Sequence, residues 1–368
     1  MKIIDYEQGV IGVMSAIRDH FGIPVYHTQD ESIKTWLHQH QIQQVIVLLI
    51  DGMGDHQIHK HCDETGFLKT YHAKTLDTVY PPTTVAATTS ILTGKHPCET
   101  GWLGWQQYFS DIDHHIEMFF GTDFFTHEKL EKRFSYQRLP IKTMIEEANE
   151  IGIQATEYFP YWKNNGAKTF KELCDTIVKE SESKSKQHQL VYAYWDGYDS
   201  FMHEHGQSAK ESVEMLRSFD QILNQTMTQL SKDTGLIILA DHGHIDVTCK
   251  YLIDYPDLLE CFSHLPALEP RTMAFYIKKE KKDIFKKLFL SYFKNDFKLF
   301  TREEAVAMKL FGTGTSHPKF EDFLGDFVAC AISSTDLYYD RSIIVKGSHA
   351  GFTEEELQIP LILYHGVA

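Results

Sequence analysis

The chain has 368 residues, 42% of them hydrophobic and 24% charged, which excludes wholesale disorder, collagen and long coiled coils. At about 150 residues per domain, that length suits one large domain or a core with a smaller one. Its 36 basic residues against 51 acidic ones give a net charge of −15, so the surface as a whole repels nucleic acid and anionic membrane, and neither is expected as a partner.

In chain order, Val10, Met14, Ile17 and Phe21 recur at helical spacing, and after a second helix-like stretch the run Val45–Ile50 reads as a buried parallel strand closed by Asp-Gly. Ile141, Met144, Ile145 and Ala148 mark a helix that Gly152 ends, and Phe170, Leu173, Cys174, Ile177 and Val178 mark another. The polar stretch 179–186 is a turn, followed by a strand over 190–195. A long helix over about 208–230 shows Val213, Leu216, Phe219, Leu223 and Met227 on one face, and a strand follows over 236–240. Alternating helices and buried strands predict an α/β fold with a mostly parallel central sheet covered by helices on both faces.

After Pro270 the texture changes. Met273–Ile277 is a strand, and Ile284, Phe285, Leu288, Phe289 and Tyr292 follow along a helix. Residues 271–326 are therefore expected to form a small inserted α/β subdomain, with 1–270 and 327–368 as the catalytic core. The lysines between 278 and 298 read as a solvated face or an anion site. No apolar run approaches the roughly 20 residues that cross a bilayer, and residues 1–19 lack a basic start followed by an apolar stretch. Six scattered cysteines without a CxxC pair fit reduced thiols. A cytoplasmic location is the expectation.

Functional residues in open parallel sheets gather at the carboxyl ends of strands. One strand ends in Asp51-Gly52-Met53-Gly54, a second in Asp196-Gly197-Tyr198-Asp199 followed by His203, and a third in Asp241-His242-Gly243-His244. A fourth segment, Gly347-Ser348-His349, precedes the apolar stretch 359–364. Each alone has an ordinary reading: Asp-Gly is a turn, Asp199 and His203 share a solvated helical face, and His349 sits in a surface loop. Together they supply three Asp and three His, ligand types that suit two zinc-like ions.

Between the first two segments lies Pro81-Pro82-Thr83-Thr84, followed by an alanine-containing helical stretch, which puts Thr83 or Thr84 at a helix cap. A hydroxyl there meets open backbone N–H groups that favour a phosphoryl group, and a neighbouring metal would make it an attacking alkoxide. The ordinary reading is a capping Thr without chemistry.

The order Asp-Gly-Met-Gly, Pro-Pro-Thr-Thr, Asp-Ser-Phe-Met-His-Glu-His-Gly, Ala-Asp-His-Gly and Gly-Ser-His resembles the alkaline phosphatase superfamily, in particular compact bacterial members of its type I phosphodiesterase/nucleotide pyrophosphatase branch. That resemblance implies an alkaline phosphatase-like fold and a hydrolase of phosphodiester or pyrophosphate bonds acting on a small-molecule phosphate ester. It implies two Zn²⁺ ions, with Mn²⁺ as an alternative: Asp199, His203 and His349 on one, Asp51, Asp241 and His242 on the other. Thr84 would be the nucleophile, ten residues before Gly94 of Thr-Gly. The pattern departs from nucleotide pyrophosphatases at Val85, Ala87 and Thr100, so nucleotide specificity does not carry over. Trp102, Trp105 and Tyr108 are a substrate wall or packing. His205 and His244 are outer partners of the metals or solvated.

Competing readings are a phosphomonoesterase or phosphonate hydrolase on the same residues, and a metal-dependent protein that binds a phosphorylated ligand without turnover. A sulfatase lacks its Cys/Ser-x-Pro-x-Arg segment here, and a Rossmann-type binder lacks GxGxxG.

Overall fold

A computed structural model describes residues 4–7, 9–163, 166–182 and 188–367. Its central sheet has six strands in the order His72–Asp77, Gln358–His365, Thr234–Leu239, Gln44–Ile50, Gln189–Trp195, Gln154–Tyr158. The middle of this sheet is parallel, and Gln358–His365 runs antiparallel to both its neighbours. Gln44–Ile50 is buried at every position, as a strand covered on both faces must be, and its β-branched run suits that role. In the register, Ile50 faces Trp195 and Leu49 faces Leu239. Three strands thus end level, and the acidic segments after them emerge at one edge.

Helices cover the sheet where the periodicity predicts them: Val10–His20, Met144–Glu150, Phe170–Ser181 and Lys210–Thr226. Their ends follow from local chemistry. Asp30 caps Glu31–Gln39 by accepting from the Ser32 N–H at 2.9 Å, and Thr143 with Glu146 forms a capping box on Met144–Glu150. Of the polar turn expected over 179–186, residues 179–181 instead continue the helix Phe170–Ser181, and residues 183–187 lie outside the described residues.

A second sheet of seven strands was largely illegible in the sequence, because most of its strands are four to seven residues long and show no clean alternation. Its order is Phe297–Thr301, Phe327–Ala331, Thr272–Ile277, Phe262–Leu268, Gln106–Phe109, His114–Glu117, Thr122–Asp123. Residues 271–326 supply two of these strands and the helix Lys282–Phe293, and the remaining five come from outside that span. That helix buries Phe285, Phe289 and Phe293, while Ile284 and Tyr292 of the expected face are 51% and 41% exposed. The i, i+4, i+8 line of rings wins because it packs on Phe275, Phe297 and Phe327.

Arg271 joins the second sheet to the first. Its guanidinium is fully buried and donates to Glu356 from Nε at 2.6 Å and Nη2 at 2.9 Å, to Asp336 at 3.2 Å, and to the carbonyls of Ser333 and Thr335. Glu356 sits just before the central strand Gln358–His365. Arg271→Met leaves two buried carboxylates without their partner and is expected to lower stability by about 3–5 kcal/mol, read as a shift of the urea midpoint. Arg271→Lys should not restore it, since a point charge cannot replace the planar fork.

Candidate metal centre and active site

The level strand ends bring six of the predicted residues into two adjoining groups. Asp51, Asp241 and His242 form one, and Asp199, His203 and His349 form the other, joined there by His244. The ring of His242 stacks on that of His349 with centroids 3.7 Å apart, so the two groups share a wall.

In the first group each side chain has its outer atoms occupied and its inner atom open. Asp241 Oδ1 accepts from the N–H groups of Gly52 (3.1 Å) and His242 (3.0 Å). Asp51 Oδ2 accepts from the hydroxyls of Tyr194 and Thr84. His242 Nδ1 lies 3.0 Å from the Gly243 carbonyl; a carbonyl only accepts, so Nδ1 carries the proton and Nε2 offers a lone pair. What remains is Asp51 Oδ1 and Asp241 Oδ2, both buried without a hydrogen-bond partner, at 3.3 Å and 3.5 Å from His242 Nε2. Two orphaned carboxylate oxygens converging on one imidazole lone pair fit a divalent cation. Burial first, and then the neighbouring carboxylates, push Asp51 well above the usual range; burial also raises Asp241, with His242 opposing it. A cation held at that point would relieve this repulsion.

The second group repeats the device. His203 Nδ1 donates to the Gly347 carbonyl (2.9 Å) and His349 Nδ1 to that of Pro82 (3.1 Å), leaving both Nε2 atoms turned toward Asp199 at 3.4 Å and 3.8 Å. His244 Nε2 lies 3.1 Å from Asp199 Oδ1. Backbone carbonyls that fix the tautomer of ligating histidines are the usual outer support of such sites. Burial alone would raise Asp199, but His203, His244 and His349 together draw it well below the usual range. Burial lowers His244 to about 4 and holds His349 well below the usual imidazole range. Gly52, at φ +72°, permits the close fit of the two segments: a Cβ there would lie 3.1 Å from that of Asp199. Ala350, at φ +84°, holds a strained left-handed backbone directly after His349.

The hydroxyl that reaches the first group belongs to Thr84. Thr83 takes the N-cap position and Thr84 is the first residue of the helix Thr84–Thr93, which Gly94 closes in the left-handed region at φ +67°. Thr84 Oγ1 is 3.2 Å from His242 Nε2 and 3.4 Å from Asp51 Oδ2. Thr83 makes no side-chain capping bond, so the first-turn N–H groups keep the open donors that favour a phosphoryl oxygen.

Other residues sort clearly. Trp102 is fully buried with its Nε1 on the Leu139 carbonyl, Tyr108 stacks on His264, and Trp105, partly buried, meets Phe119 and Phe120 edge-on. His205 packs on Phe201 away from the metal groups, whereas His244 is fully buried among them. Sequence reasoning missed Tyr194, because a polar tip inside an apolar strand carries no motif, and Glu269, described below. A third cluster, Asp55, His59 and His72, is already satisfied: Asp55 accepts from His72 (2.6 Å) and Thr75 (2.7 Å).

The family model for type I phosphodiesterase / nucleotide pyrophosphatase matches residues 45–340. Among solved structures, murine ectonucleotide pyrophosphatase / phosphodiesterase 5 superposes with a TM-score of 0.68 at 15% identity, covering 89% of each chain. The human protein of the same name gives 0.67 at 15% identity, covering 89% of this chain and 88% of that one. An inactive variant of the murine protein in complex with AMP gives 0.68 at 15% identity over 88% of each chain. At this identity the likeness is one of fold. The sequence has no significant match among curated proteins.

Proposed function

Because the chain belongs to the type I phosphodiesterase / nucleotide pyrophosphatase family, which matches it over residues 45–340, it is a hydrolase of phosphoric ester bonds, and we propose that it cleaves phosphodiester or pyrophosphate bonds of small molecules with Thr84 as nucleophile. Asp51, Asp241 and His242 would hold one zinc ion and Asp199, His203 and His349 the other, with His244 bracing Asp199. The observation that carries this reading is the position of Thr84 Oγ1, 3.2 Å from His242 Nε2 and 3.4 Å from Asp51 Oδ2, against a set of convergent ligand atoms whose His242 ring stacks on His349 of the second set. The complex of a murine relative with AMP supports a small phosphate ester as substrate.

Two divalent cations, when bound, lower the pKa of a nearby hydroxyl and neutralise charge on attacking and leaving oxygens. The chain supplies the rest. Helix N–H groups after Thr84 orient the phosphoryl oxygens, and the hydroxyl oxygen attacks phosphorus in line. The bond to the leaving alcohol or phosphate breaks as the Thr84–phosphorus bond forms, and water then releases the phosphoryl group from the threonine. Six free cysteines, five of them buried, support a reducing, cytoplasmic setting. Among the described residues no helix is long and apolar enough to cross a membrane. Thr84, the six metal-ligand residues and His244 all come from 1–270 and 327–368, which supports treating those spans as the catalytic core.

The test pairs metal analysis with hydrolysis of bis(4-nitrophenyl) phosphate and 4-nitrophenyl phosphate. Two metals per chain are expected, chelation should lower diester cleavage at least about tenfold, and zinc should restore it. A protein that takes up no metal under any condition defeats the proposal. Metal binding with stable phosphate-ester binding and no product would instead favour the non-catalytic reading.

A further inference from the structure

Glu269 is bonded to Thr83, the residue before the nucleophile, and the mechanism above does not use it. Its carboxyl is 6% exposed. Oε1 accepts two hydrogen bonds, from the Thr83 hydroxyl at 2.6 Å and from the Trp105 N–H at 2.6 Å, and Oε2 accepts none among the described residues. Thr83 is the N-cap whose hydroxyl would ordinarily serve its own helix; it is turned to Glu269 instead.

The backbone is bent to put the carboxyl there. Leu268, directly before it, has φ +79°, a conformation that a bulky side chain rarely adopts and that concentrates at functional sites. Gly104 makes this possible, since a Cβ there would come within 3.0 Å of Leu268 Cα. No cation pairs with Glu269 among the described residues. The nearest in sequence, Arg271, is committed to Glu356 and Asp336. Burial pushes the Glu269 carboxyl up to about 7, with the bonds from Thr83 and Trp105 opposing the rise.

A buried carboxyl without a cation, placed by a strained residue and bonded to the residue before the nucleophile, is not explained by stability. It has an evident effect on an anionic substrate. A phosphodiester carries one negative charge at phosphorus, whereas a phosphomonoester carries nearly two near neutral pH, and like charges brought together in a dry site repel strongly.

We propose that Glu269 is a specificity-determining residue that sets a carboxylate on Thr83, the N-cap directly before Thr84, and thereby selects phosphodiesters against phosphomonoesters. The inference rests on Thr84 marking the phosphoryl position. Discrimination here comes from an element placed against the wrong ligand, not from a contact with the right one. The same carboxylate weakens retention of inorganic phosphate, the final product.

Glu269→Gln keeps an acceptor at Oε1 for both bonds and removes the charge. On zinc-loaded enzyme at about pH 8, where the carboxyl is ionised, the ratio of kcat/KM for 4-nitrophenyl phosphate to that for bis(4-nitrophenyl) phosphate is expected to rise at least about tenfold. Metal content should stay as in the wild type, and inorganic phosphate should bind several-fold more tightly by calorimetry. Glu269→Asp, which draws the carboxylate back by one methylene, should move the ratio less. An unchanged ratio, an equal loss on both substrates, or weaker phosphate binding in E269Q with metals intact overturns the proposal. If the wild type cleaves neither ester, the functional reading fails separately, and calorimetry still decides whether Glu269 opposes phosphate.

Discussion

Thr84→Ala is expected to lower diester hydrolysis by about a thousandfold or more while leaving two metals bound. The size follows from the position of the hydroxyl. Thr84 Oγ1 is the oxygen that touches both His242 and Asp51, and its removal leaves alanine, with nothing able to attack phosphorus. Retention of metal follows from the remaining atoms, because Asp241 and the three histidines are held by bonds that do not involve Thr84, and Asp51 keeps its bond from Tyr194. Thr84→Ser restores a hydroxyl at the same place and should recover most of the rate. Thr83→Ala tests the neighbouring hydroxyl: its bond goes to Glu269, so it should alter substrate preference more than maximal rate. Full activity in pure Thr84→Ala protein would remove the mechanism, and measured metal content in the same sample separates that result from a loss of sites.

What the sequence revealed and what it hid divide along physical lines. The middle of the central sheet, Gln44–Ile50, Gln189–Trp195 and Thr234–Leu239, was legible because its strands are continuous apolar runs alternating with helices of regular period, and strand-end position is a strong prior for chemistry; the part-exposed His72–Asp77 and Gln154–Tyr158 carry no such run. Asp51, Asp199, His203, Asp241, His242 and His349 each follow such a strand or lie on the helix or loop beside it. The pairing of their outer atoms with backbone N–H and carbonyl groups was not legible, since it depends on loop conformations such as Gly52 at φ +72° and Ala350 at φ +84°. His244 was named only as an outer partner because its alternation with His242 along the chain does not say which way the ring turns. Glu269 carried no signal. It follows a strand whose pairing with Thr272–Ile277 is interrupted by irregularities, and it reaches Thr83 across 186 residues of sequence.

The second large effect concerns Asp51, where function and stability are expected to move in opposite directions. Asp51 is 1% exposed, its Oδ1 has no hydrogen-bond partner, and the carboxylates of Asp241 and Asp199 act on it through a dry interior. A group arranged this way is unfavourable to the metal-free fold and makes sense only with a cation present. Asp51→Asn removes the charge while keeping an oxygen for the hydroxyl of Tyr194. After chelation, the variant should therefore be more stable than the chelated wild type by about 0.5–2 kcal/mol in urea unfolding. With zinc added the order reverses: the wild type gains stability by binding two ions, and the variant gains less because the site formed with Asp241 and His242 has lost its charged ligand. Metal content should fall toward one per chain, and diester hydrolysis by about a thousandfold. A chelated Asp51→Asn protein less stable than the chelated wild type would make Asp51 a structural carboxylate, and retention of two tightly held ions would take it out of the ligand set. Both measurements read the same buried oxygen, one through folding and one through coordination, so agreement between them cannot come from a general loss of structure.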